Sequence, residues 1–167
     1  MTHFAEVTVV QWRGDVNRWH AHQNPRLRDA GDTIHKHSLR CCLLLMRLNP
    51  DCTKDMLAAC VLHDAAETIM GDPPAPAKSD GRLREAYEWA EKAANKKLET
   101  PKYDGDYSWI RMVDLLDRHM IVIQHAPTEL RRAGWRNSLD VILNTASRLR
   151  VLDKVQEIIA EATEKMT

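Results

Sequence analysis

Apolar residues recur every three to four positions along nearly the whole chain, and no run of alternating β-branched residues is bounded by turn signals. The pattern predicts an all-α protein. A first helix is expected from about Ala5 to Trp19, with Gly14 as its weak point, followed by a loop from His20 to Gly31 holding Asn24-Pro25. A second helix begins near Thr33, after the possible cap Asp32. It carries Ile34, His37, Cys41, Leu44, Leu45 and Leu48 on one stripe, and Asn49-Pro50 ends it. A third starts near Thr53, with Met56, Leu57, Cys60 and Val61 on its stripe and then His63, Asp64 and Glu67. Gly71-Asp72-Pro73-Pro74-Ala75-Pro76 cannot continue it. A charged helix from about Ser79 to Glu99 is closed by Thr100-Pro101. Another spans Ser108 to His125, and Pro127 to Lys165 reads as one or two helices with a break at Gly134.

Composition bounds what this helical chain does. With 167 residues and 44% hydrophobic content it is expected to form one domain, residues 1–167, with a sizeable core. Its 24 basic and 24 acidic residues cancel, leaving no broad cationic field for a nucleic acid backbone. Cys41, Cys42, Cys52 and Cys60 show no CxxC spacing and read as reduced thiols that pack. No apolar run reaches the length of a membrane span and no export pattern opens the chain. The expectation is a soluble cytoplasmic protein with neither nucleic acid nor membrane as partner.

The helical phase singles out a candidate site. Residues three and four apart share a face, so His63 and Asp64 each stand one turn before Glu67, where the preceding stripe is apolar. His37 takes a stripe position between Ile34 and Cys41, and Asp114 and Asp117 do the same between Ile110 and Ile121. An ionisable group turned inward is costly unless paired or coordinated, and a divalent cation supplies that compensation. His35 points away from His37. A lone inward histidine is more often a hydrogen-bonded core residue than a ligand, so the weight rests on the conjunction. His3, His20, His22, His119 and His125 share no face with the set and are read as surface or loop residues. Trp12, Trp89, Trp109 and Trp135 are read as packing residues.

The order His37-Ser38, then His63-Asp64-Ala65-Ala66-Glu67-Thr68-Ile69-Met70-Gly71-Asp72-Pro73-Pro74-Ala75-Pro76-Ala77-Lys78, then Arg111-Met112-Val113-Asp114, with Arg18-Trp19 ahead, resembles the HD-domain phosphohydrolases. Within them it is most similar to the bacterial 5′-deoxynucleotidase branch, whose phage relatives strip phosphate from dATP. The resemblance implies an HD-type helical bundle that removes phosphate from 2′-deoxynucleotides, works as a homo-oligomer (dimer or higher) and sits in the cytoplasm of a bacterial or infected host cell. It implies His37, His63, Asp64 and Asp114 as ligands of a divalent ion: cobalt, manganese, zinc, iron or magnesium. Helical phase alone leaves Asp117 open as the fourth ligand, and Arg111 three positions earlier favours Asp114. Glu67 is implied to orient or deprotonate the attacking water and Asp72 to be a second acid/base group. Arg18 and Lys78 are implied to hold phosphate, and Trp19 to lie against the sugar. Lys36 departs from the branch, which often carries an acid there.

Overall fold

A computed structural model describes residues 15–74 and 80–165. Nearly all of the expected first helix, with Trp12 and His3, lies outside the described residues, as does Lys78. The described remainder of that helix, from Asp15 onward, is not helical. It runs through turns, pairs Asn17 with Thr33 in an isolated antiparallel bridge, and holds Trp19 at φ 62°.

The helices begin where polar side chains can satisfy free backbone N–H groups. Asn24 accepts from Arg26 N with Pro25 in the first turn of the short α1 (Pro25–Arg28), inside the segment expected to be loop. Thr33, not Asp32, caps α2 (Ile34–Leu48), and Thr53 caps α3 (Lys54–Leu62). α4 (Glu67–Met70) ends at Gly71, whose φ of 79° a side chain would oppose. Asp80 caps α5 (Gly81–Lys97), and α6 (Ser108–His125) follows at the bounds expected from the sequence. A 3₁₀ turn (Pro127–Arg131) leads to α7 (Ala133–Arg148) and α8 (Leu152–Glu164). The expected break at Gly134 is not there, because a glycine in the first turn of α7 costs little. The chain turns instead at Arg150, φ 59°, after α7 is capped at Leu149.

α6 is the hub, packing against α1, α2, α3, the 3₁₀ turn, α7 and α8. The main core joins Cys41, Leu44, Leu45 and Leu48 of α2 to Ile110, Met112, Val113 and Leu116 of α6. Ile142, Val155 and Ile158 close it from α7 and α8. Burying a Leu or Ile side chain contributes about 1.5–3 kcal/mol, so the α2–α6 contact is held far more firmly than α5, whose one buried residue is Ala94 and which packs on α4. Two packing expectations fail. Trp89 lies on the outer face of α5 and is 74% exposed, and His119 is buried against Trp135, because α6 is surrounded on more sides than its own stripe revealed. No helix among the described residues is long and apolar enough to cross a membrane.

Candidate metal centre

Three elements converge at one end of the α2–α6 contact. His37 sits one turn into α2 and is fully buried, and Asp114 faces it from the middle of α6. His63 and Asp64 come from the segment after α3, where the helix tightens. Ala65 N bonds Leu62 O at 3.0 Å, Glu67 N bonds Asp64 O at 3.0 Å, and Thr68 N bonds Ala65 O at 3.1 Å. These are three-residue steps, so Asp64 and Glu67 eclipse each other along the axis. The continuous third helix expected from the sequence is therefore two helices joined by a tight turn. Competition for backbone acceptors explains the join: His63 Nδ1 donates to Cys60 O at 2.7 Å and Thr68 Oγ1 to Ala65 O at 2.7 Å.

His37 Nε2 lies 3.1 Å from His63 Nε2, 3.4 Å from Asp64 Oδ2 and 3.3 Å from Asp114 Oδ1, and His63 Nε2 lies 3.4 Å from Asp64 Oδ2. All four ligand-capable atoms fall within 4.8 Å of one another. Atoms bound about 2.1 Å from one cation stand roughly 3.0 Å apart along an octahedral edge and 3.4 Å along a tetrahedral one. The set fits a single divalent ion. Both Nδ1 atoms donate outward, His63 to Cys60 O and His37 to Asp117 Oδ2 at 2.7 Å, which aims two Nε2 lone pairs at each other. Only a proton or a cation between them removes that repulsion.

Charge tells the same story. Burial works to raise Asp64, but His63, His37 and Arg18 outweigh it and hold its carboxyl below the usual range. Burial likewise opposes ionisation of Asp114 and Asp117. His37 and Arg118 overcome it for the first, His37 and Arg40 for the second. Burial pushes His37 down, and hydrogen bonds to Asp114, Asp117 and Asp64 more than reverse this, lifting it well above an ordinary histidine. Asp32, Asp114 and Asp117 thus face the guanidinium groups of Arg18 and Arg40, and Asp64 feels that of Arg18.

A second layer braces the first. Arg40 Nε donates to Asp117 Oδ1 at 2.6 Å and its Nη2 to Asp117 Oδ2 at 3.0 Å and Asp32 Oδ1 at 2.7 Å. Trp19 Nε1 donates to Asp32 Oδ2 at 2.8 Å. Arg18 is buried, with Nε and Nη1 lacking a hydrogen-bond partner among the described residues, and its nearest carboxylates, on Asp32, Asp117 and Asp114, stand 3.7–3.9 Å away. Beside the cluster opens a cavity of about 250 Å³, lined by His63, Asp64, Glu67, Met70 and Pro73 on one side and by α5 on the other.

A family model described as HD domain matches residues 15–108, more than half of the chain. The chain belongs to the HD domain family. HD domains bind divalent metals and are typically metal-dependent hydrolases, in keeping with the His/Asp cluster found here. No curated protein and no solved structure shows a significant match to the chain.

Against the HD-domain frame, the expected residues fall into groups. His37, His63, Asp64 and Asp114 are brought together, and Asp117 stands behind His37 at its other ring nitrogen. Glu67 is buried in the cavity wall. Asp72 follows α4 and is half-buried, but is not among the residues described as lining the cavity. Trp19 packs against Trp135 with ring centroids 6.1 Å apart, its indole N–H committed to Asp32. Lys36, the departure from the branch, turns outward and donates to Gly31 O at 2.7 Å. Cys41 contacts His37 at 3.6 Å, but burial pushes its thiol up to about 11, so it is a neutral packing group. Sequence reasoning missed Arg40, although it shares a helical face with His37 as Asp117 does with Asp114. It took Asp32 for a cap and did not foresee the α5 wall.

Proposed function

We propose that this HD domain hydrolyses the phosphate ester of 2′-deoxynucleotides. The observation that carries the reading is Arg18. A buried guanidinium with unsatisfied N–H groups costs about 1–3 kcal/mol or more, and here it borders a cluster suited to a dication. A doubly charged oxyanion satisfies both at once, and the planar fork of Arg suits phosphate oxygens. His37, His63, Asp64 and Asp114 would hold the ion, which supplies charge neutralisation on phosphoryl oxygens and acidifies water.

The chain's own residues then divide the work. Arg18 binds and orients the phosphate. Glu67, on the face below Asp64 and buried in the cavity wall, accepts the proton of the attacking water. Asp72 is assigned the second acid/base role. The indole face of Trp19 borders the sugar and disfavours a 2′-hydroxyl. Its left-handed backbone, costing about 1–2 kcal/mol for a bulky residue, supports a role beyond packing. Lys78 is an additional phosphate contact by the resemblance alone. The test is phosphate release from deoxy- and ribonucleotides, mono- to triphosphate, with cobalt, manganese, zinc, iron and magnesium in turn. Release from deoxynucleotides ahead of ribonucleotides is expected, with Arg18→Met weakening inorganic phosphate binding at least tenfold. No release with any metal, or phosphate affinity unchanged in Arg18→Met, rejects the reading.

A further inference from the structure

The cavity beside the cluster has a second wall that the proposed chemistry leaves unused. Arg84, Tyr87, Glu88 and Glu91 of α5 line it, at i, i+3, i+4 and i+7, so one helical face points at the site. Arg84 faces Glu88, Nε to Oε1 3.8 Å. The α5 wall therefore sets the carboxylates of Glu88 and Glu91 against the single cation of Arg84. Such a wall disfavours phosphate and suits the rest of the substrate. Arg18, the proposed phosphate holder, is not among its lining residues, so the two halves of a nucleotide have separate places. Tyr87, Met70 and Pro73 supply flat or apolar surface for a ring. A volume of about 250 Å³, near the lower end of ligand sites at about 300 Å³, suits one nucleoside-sized group.

Resting on the reading above, we infer that the α5 wall reads the nucleobase: Glu88 and Glu91 accept hydrogen bonds from an exocyclic amino group, and Tyr87 supports the ring. A base presenting a carbonyl there puts acceptor against acceptor. Amino-bearing bases are therefore preferred by about tenfold, the scale of one hydrogen bond to a charged group.

The pair dCMP and dUMP tests this property, since C4 carries an amino group in one and a carbonyl in the other while the adjacent ring nitrogen turns from acceptor to N–H donor; dAMP and dIMP repeat the comparison in purines. Two readouts are taken on metal-loaded protein, the ratio of kcat/KM within each pair and calorimetric binding of the unphosphorylated deoxycytidine and deoxyuridine. Wild type favours the amino partner about tenfold in both. The double variant Glu88→Gln/Glu91→Gln brings both ratios close to one, while its metal-induced rise in Tm, the check on folding, matches wild type. Equal use of both partners by wild type, an unchanged ratio in the double variant, or no binding of either nucleoside overturns the inference. Nucleoside discrimination without phosphate release from any nucleotide would instead reject the phosphohydrolase reading alone.

Discussion

Asp117→Asn tests the division between residues that would hold the ion and those that brace them. The carboxylate accepts from His37 Nδ1 at 2.7 Å and from Arg40 at 2.6 and 3.0 Å, with its side chain 2% exposed. An amide offers one oxygen, so its NH₂ must face either the imidazole N–H or the guanidinium. Arg40 keeps Asp32 and is 32% exposed, so water offsets part of its loss, whereas the fully buried His37 has no such recourse. The loss falls on the tautomer of His37 that aims Nε2 at the cluster. Removing a partner of this kind lowers metal affinity about 10- to 100-fold, or about 1.4–2.8 kcal/mol. Asp114→Asn removes a donor from the cluster itself and should abolish binding. Arg40→Gln, which leaves Asp117 in place, should cost less than Asp117→Asn. Titrating metal-free proteins with cobalt or zinc against a chromophoric chelator measures the series, and thermal unfolding of the same samples shows that each is folded. Wild-type affinity in Asp117→Asn would refute the bracing role. Complete loss in Asp117→Asn with retention in Asp114→Asn would exchange the two residues.

Three further outcomes are expected. His63→Ala and Asp64→Ala each lose the bound ion and all turnover, and full metal content by elemental analysis in both would reject the cluster as the metal centre. Glu67→Gln keeps the metal and binds nucleotide while turnover falls by roughly two to four orders of magnitude; single-turnover phosphate release at wild-type rate removes Glu67 from the mechanism. Trp19→Ala narrows the deoxy-to-ribo ratio of kcat/KM by slowing the deoxy substrate more, and an unchanged ratio returns the indole to the packing it makes with Trp135.

The legible parts of the fold are those where burial on one stripe decides the outcome. Ile34, His37, Cys41, Leu44, Leu45 and Leu48 of α2 share a period and are all buried. Ser108–His125 could be bounded because its apolar stripe is continuous and Ala126-Pro127 stops it. Periodicity failed where the backbone departs from 3.6 residues per turn or where the tertiary neighbourhood is decisive. Nothing in His63-Asp64-Ala65-Ala66 is a helix breaker, yet three-residue hydrogen bonding splits the helix there. Gly134 looked like a break, and Arg150 in the left-handed region is the real one, a position that sequence rules give to glycine or asparagine. His119 and Trp89 were misplaced because a single stripe says which face is inward only when one face is buried.

At the site, the residues that could be read were ionisable groups in apolar stripes, since an uncompensated charge there is expensive and so demands an explanation. Asp32 and Arg40 escaped because each looked ordinary alone, one a cap and the other a basic residue on a helix. Their meaning lies in a contact between distant segments: Trp19 to Asp32, Asp32 to Arg40, Arg40 to Asp117, Asp117 to His37. This chain ties the strained turn that presents Arg18 and Trp19 to the histidine at the centre of the cluster. If that turn grips phosphate and His37 holds an ion, both act on one hydrogen-bonded scaffold, so Arg40→Gln should lower metal affinity and phosphate affinity together, although Arg40 belongs to neither set of direct contacts.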